Sequence, residues 1–215
     1  MLGTSVTPAT FRGYLAMPVV DVMVLAGAMP SSVAITLDVI ATANRLRAVE
    51  DRPPLFAPRV SGSGRRMAAG LVDETPGAEG GADLVVVPGL GATTEAELRE
   101  RMDRPDAATA VRVLRKAAER GAEVAASCSS VFLLAHAGLL DGRRATTTWW
   151  LAPVFARMFP RVRLDVDAMV VADGPVTTAG AAMAQLDLML ALVTRHGGPA
   201  LAGRCARYLL LDGRQ

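Results

Sequence analysis

The chain has 215 residues, 51% hydrophobic and 20% charged, which is enough apolar material for a folded core and too little charge for a disordered chain. A net charge of +2, carried by scattered arginines with Lys116 as the single lysine, provides no basic stripe for nucleic acid. The two cysteines (Cys128, Cys205) are too few for a secreted disulfide scaffold, and neither His136 nor His196 stands at ligand spacing from them, so no metal is expected.

Residues 1–17 lack a basic start followed by an apolar run and are expected to be a loose leader, not a signal peptide. Residues 19–26 are nearly all apolar, with one charge at Asp21, and predict a buried parallel strand. Ser31 or Ser32 is then expected to cap a helix to about Ala48, with Val33, Leu37, Ile40 and Asn44 on one face. Residues 55–60 predict a weaker strand before the Ser-Gly-Ser-Gly stretch at 61–64, and residues 84–87 a strongly buried one ending at Pro88-Gly89-Leu90-Gly91. Residues 106–120 have helical period through Ala107, Val111, Leu114 and Ala118, with Gly121 as the stop.

Residues 145–148 predict a short strand and 150–159 a helix that Pro160 ends. Asp173-Gly174-Pro175 reads as a hairpin turn between strands at 164–172 and 176–178. A helix over 180–195 should bury Met183, Leu186, Met189, Leu190 and Val193, and a last helix covers about 199–211. No uncharged apolar run is long enough to span a bilayer, so a soluble, cytoplasmic protein is expected. Strands alternate with helices without linker or repeat: one α/β domain over residues 18–215, its mainly parallel sheet flanked by helices on both faces. Ligands in such sheets collect at the carboxyl ends of the strands, here residues 27–32, 88–91 and Cys128.

Residues 123–130, Glu-Val-Ala-Ala-Ser-Cys-Ser-Ser, read as a strand turning sharply into a helix with a thiol at the turn, the geometry of a nucleophile elbow. Such a turn demands a strained backbone with positive φ at Cys128. The following helix amides would favour thiolate, although a free cysteine is as readily a small buried hydrophobe. Cys205, Asp187 and the methionines of the last helices read as packing or structural residues, and one of Trp149 and Trp150 as a core aromatic.

The segments Val86-Val87-Pro88-Gly89, Ala126-Ser127-Cys128-Ser129, Ala137-Gly138-Leu139-Leu140-Asp141-Gly142-Arg143-Arg144-Ala145-Thr146-Thr147 and the Asp-Gly-Pro-Val-Thr-Thr-Ala-Gly run at 173–180 resemble the ThiJ/PfpI superfamily of class I glutamine amidotransferase-like domains. Within it they resemble the amino-terminal domain of GlxA-type regulators of the AraC class. The resemblance covers roughly residues 18–211 and implies a flavodoxin-like, amidotransferase-like fold. It also implies that Cys128 takes the elbow position, with an oxyanion-type role for the amides near Leu90, Gly91 and Ser129. Enzyme branches usually follow the Ala-Thr-Thr run with histidine and place a carboxylate on the loop after the first strand. Here those positions hold Thr148 and about Ser32. Neither hydroxyl titrates near neutral pH, and His136 lies too far along the helix to reach the sulfur.

The resemblance thus implies a ligand-sensing regulatory domain, with ligand-binding residues Ser32, Gly89, Leu90, Gly91, Cys128, Ser129, Thr148 and Trp149, no cofactor, and a homodimeric state. DNA would be met only through a helix-turn-helix module beyond Gln215. The alternative is a cysteine-dependent enzyme, isonitrile hydratase-like or glyoxalase-like, with Cys128 catalytic.

Overall fold

Runs of valine build the centre of the sheet. β1 (Val19–Met23) and β3 (Leu84–Val87) are buried on both faces, as strands covered by helices on either side must be. The computed structural model describes residues 17–71, 81–181 and 183–209. The expected leader lies outside the described residues except for Met17, as does the expected helix end at 210–211.

Six strands form the main sheet in the order β2-β1-β3-β4-β8-β7, with β2 (Ala57–Ser61), β4 (Glu123–Ser127), β7 (Val170–Asp173) and β8 (Val176–Ala179). The first five run parallel, and β7 joins antiparallel through the predicted turn, where Gly174 has φ +61°. Val22 pairs with Val86 and Val86 with Ala125, so β1, β3 and β4 end side by side. The strand order reverses between β1 and β3, which is where open α/β sheets leave a crevice.

Alternate side chains of each strand feed two cores. Val20 and Val22 face a cluster shared with α1 (Pro30–Ala48), α6 (Ala184–Gly197) and α7 (Pro199–Tyr208). Met23, Val85 and Val124 face the other, made with α2 (Glu95–Met102), α3 (Pro105–Glu119), α4 (Val131–His136) and α5 (Ala152–Met158). A separate two-stranded parallel ribbon pairs β5 (Arg144–Ala145) with β6 (Arg163–Leu164). The expected class, a mainly parallel α/β sheet with helices on both faces, is the observed one.

Several boundaries differ from the sequence expectation, each for a local reason. α1 is started by Pro30 at its first turn with Met29 as the N-cap, and no side chain caps it, so Ser32 lies inside the first turn and is buried. α2 was not expected: only Leu98 of its eight residues is buried, too weak a stripe to show as a period, yet Thr94 caps it through the Glu97 amide. The buried face of α3 is Ala107, Ala110, Leu114 and Ala117, because small alanines on two adjoining faces leave its rotation to the sheet. α6 begins at Ala184, not Gly180, and turns Gln185, Leu188 and Leu192 inward, leaving Met183 exposed. The expected strand at 145–148 shrinks to β5, since the threonines that follow leave the ladder for the elbow.

Asn44 joins α1 to the entry of β2. Its Nδ2 donates to the Phe56 carbonyl at 2.9 Å, and its Oδ1 accepts from the Leu55 and Phe56 amides at 2.8 and 3.0 Å. Asn44→Ala would leave three half-buried backbone groups unpaired and should cost about 2 kcal/mol, read as a lower midpoint in urea denaturation. An unchanged midpoint would show that the entry to β2 is held by other contacts.

Candidate functional site

β4 ends at Ser127 in extended backbone, and the next residue, Cys128, has φ +56°. Among the described non-glycine residues only Asp51 shares that sign, so the predicted elbow is present with its strain. A single turn of 3-10 helix (Cys128–Ser130) then leads into α4.

Hydroxyl groups hold the elbow from several sides. Ser130 Oγ donates to the Pro88 carbonyl at 2.5 Å, and Ser129 Oγ accepts from the Ala92 amide at 3.1 Å. Thr147 Oγ1 donates to the Cys128 carbonyl at 3.0 Å, while the Thr146 amide donates to Thr178 Oγ1 at 2.9 Å. Sequence reasoning gave no role to Ser130, Thr146 or Thr147; the serine following Ser129 and the threonines beside Thr148 were the available signal.

Glycine permits the close approach at the end of β3. A Cβ on Gly89 would stand 3.2 Å from both Cys128 Cβ and Ser32 Oγ. Gly91 has φ +66°, and a Cβ there would collide with the Met29 side chain at 2.6 Å. Of the eight residues expected at the site, Ser32, Gly89, Cys128 and Ser129 are brought together here. Gly91 joins them through its amide, which reaches the thiol. Thr148, directly after the elbow clamp, is buried, and Leu90 turns its side chain into the core. Trp149 is 73% exposed and stacks edge-on against Trp150, whose indole Nε1 donates to the Ala92 carbonyl at 3.3 Å.

The sulfur sits in a closed, uncharged setting. Cys128 is 1% exposed, and burial pushes its thiol above the ordinary range, against the opposing pull of the Ser129 amide and hydroxyl and the Gly91 amide. The expectation that helix amides favour thiolate is therefore corrected: the donors are in place, but desolvation outweighs them. No ionised group figures among these influences. The ring of His136 stacks on Phe159 with centroids 5.0 Å apart, and His196 lies beside Glu123 and Phe56. Ser32 Oγ, Ser127 Oγ, Thr146 Oγ1 and Thr148 Oγ1 are buried without a hydrogen-bond partner among the described residues. Four buried hydroxyls are thus left for water or another polar group to satisfy. Among the described residues no cluster of side chains could hold a metal ion, and no helix is long and apolar enough to cross a membrane.

The profile of the DJ-1/PfpI family matches residues 60–195, more than half of the chain. HTH-type transcriptional regulator CdhR of Pseudomonas aeruginosa is 35% identical over 101 residues, 47% of this chain and 30% of that protein. HTH-type transcriptional regulator GlxA of Rhizobium meliloti is 33% identical over 111 residues, 52% of this chain and 34% of that protein. The matches thus take in about a third of each curated relative's length. Among solved structures, an AraC family transcriptional regulator from Pseudomonas putida superposes with a TM-score of 0.65 at 24% identity, covering 89% of this chain and 99% of that one. Drosophila melanogaster DJ-1beta gives 0.63 at 19%, covering 91% and 99%. At these identities the structural likenesses establish the shared fold.

Neither cysteine should react readily in the folded protein. With Cys128 and Cys205 at 1% and 0% exposure and both thiols pushed up by burial, iodoacetamide should label them at neutral pH only after urea is added. A thiol raised on folding stabilises the native state fully below its unfolded pKa, and that contribution is lost as pH rises towards the folded value, since the unfolded chain ionises first. Stability should accordingly fall in the alkaline range, less so in Cys128→Ala. Rapid labelling of native protein at neutral pH would contradict the closed site.

Proposed function

The chain belongs to the DJ-1/PfpI family, and from that footing we propose that it is the ligand-sensing domain of an AraC-class transcriptional regulator. The observation that carries this reading is the buried, un-ionised elbow thiol, surrounded by hydroxyls with no acid or base against it among the described residues. General acid–base help contributes roughly 10²–10⁴-fold in enzymes of comparable chemistry, and none of the described residues against the thiol offers a group for it. The regulator names of the relatives support the same reading.

The ligand is a small neutral or weakly anionic molecule bound by Ser32, Thr148 and the Gly91 and Ser129 amides. Because these groups are closed off in the structure, entry requires the Met29–Pro30 turn or the Thr148–Trp149 turn to shift. Such a shift moves the start of α1 or of α5, so binding energy biases one arrangement of helices over another, as sensing requires. DNA is contacted through a separate helix-turn-helix domain, and the protein works in the cytoplasm as a homodimer. Trp149, Met169 and Met183, exposed at 73%, 55% and 63%, supply apolar surface for the dimer.

The second reading, a cysteine enzyme, draws on the retained elbow at φ +56° and the two amides on the sulfur. Thermal-shift screening separates the two. Ser32→Ala and Thr148→Val delete unpaired buried hydroxyls, so each should leave stability equal or higher while abolishing the shift produced by the cognate ligand. Purified protein should not turn over methylglyoxal or isonitriles. Turnover that Cys128→Ala abolishes would replace the sensor with the enzyme. Light scattering should show a dimer at micromolar concentration, and a monomer there would remove that part of the proposal.

A further inference from the structure

A second cavity lies away from the elbow, on the α3 side of the sheet edge. It encloses about 710 Å³ between β1, β2 and α3, within the range of small-molecule sites, and no elbow residue lines it. Met23 and Leu25 form its apolar wall.

Asp21 shares that face of β1, where the alternation of the strand would otherwise place a third apolar residue. It is 4% exposed; its Oδ2 accepts from Arg59 Nη2 at 3.1 Å, while Oδ1 is buried without a hydrogen-bond partner. A carboxylate oxygen left bare in a sheet face is costly unless something donates to it. The other acid of the cavity, Asp106, is already engaged by the Ser63 hydroxyl at 2.5 Å, by Arg104 and by the Ala26 amide. At the mouth stand Arg65 and Arg66, both exposed and without an ion pair to any described residue.

We propose that this cavity is a second ligand site, for a small hydroxycarboxylate. Its carboxylate meets Arg65 and Arg66, its carbon chain lies on Met23 and Leu25, and its hydroxyl donates to the Asp21 carboxylate, which turns its buried Oδ1 towards the cavity to accept the bond. The charge balance selects a hydroxyl over an ammonium as donor. Among the described residues, Asp21 and Asp106 are paired with Arg59 and Arg104, and the two arginines at the mouth add positive charge to the lining. The arginine forks suit a carboxylate held by two parallel hydrogen bonds. The site stands independently of the elbow reading, since it shares no residue with it.

Titration calorimetry with four probes tests it: γ-hydroxybutyrate, γ-aminobutyrate, butyrate and phosphoethanolamine. γ-Hydroxybutyrate should bind the wild-type chain about tenfold more tightly than butyrate, which lacks the donor, and than γ-aminobutyrate, which adds a cation. The double variant Arg65→Ala, Arg66→Ala should lose binding, as should Thr109→Trp, which fills the cavity from the exposed side of α3. Ser32→Ala and Thr148→Val, which alter only the elbow, should leave it unchanged. Binding that survives the arginine double variant, that is lost in the elbow variants, that is seen only with phosphoethanolamine, or that no carboxylate shows at millimolar concentration overturns the proposal.

Discussion

Cys128 holds a backbone conformation that only glycine adopts freely, and the strand-end architecture is arranged around keeping it there. A left-handed non-glycine residue costs about 1–2 kcal/mol. Against that stand the Ser130 bond to the Pro88 carbonyl, the Thr147 bond to the Cys128 carbonyl and the Ala92 amide on Ser129 Oγ. At about 1 kcal/mol each, these three together exceed the strain. Two segments are joined to the elbow in this way: the loop between β3 and α2, held at Pro88 and Ala92, and the turn after β5, held at Thr147. The strained residue is thus the point at which two otherwise separate loops meet.

Rigidity and burial decide what the thiol can do. Two backbone amides and a serine hydroxyl point at the sulfur, an arrangement that in an open, charged setting would draw a thiolate. Here the surrounding groups are hydroxyls and alkyl chains, and the loss of water costs the ionised form more than these donors return. At Ser32 and Thr148 the elbow has hydroxyls that can hydrogen-bond but do not titrate. Both oxygens are buried and unpaired among the described residues.

The two faces of the sheet are specialised in different ways. The face carrying α1, α6 and α7 is apolar almost throughout, its main polar tie being Gln185 Nε2 on Thr36 Oγ1 at 2.8 Å, with Thr36 in turn donating to the Ser32 carbonyl at 2.7 Å. That chain connects α6 to the first turn of α1, and so to the elbow. The opposite face is equally apolar beneath α3 to α5 but opens towards β2, where Asp21 interrupts the apolar alternation. The strand ends are thus tied to α1, and the open sheet edge is bordered by α3.

Much of this was legible from residue order. Valine runs ending in glycine or proline marked β1 and β3; Gly121 marked the end of α3; Asp173-Gly174-Pro175 marked the hairpin; and the small polar residues after an apolar strand marked the elbow and the sign of its φ. These are local properties, set by propensity and by backbone sterics within a few residues. What the order of residues left open was non-local. The rotation of α3 and α6 depended on which of two small or apolar faces met the sheet, and α2 had too few buried residues to show a period. The state of the Cys128 thiol, the clamp by Ser130 and Thr147, and the bare oxygen of Asp21 depended on tertiary structure alone. Burial and hydrogen-bond pairing are properties of segments brought together from 19, 38 and 42 positions apart, and no window along the chain contains them.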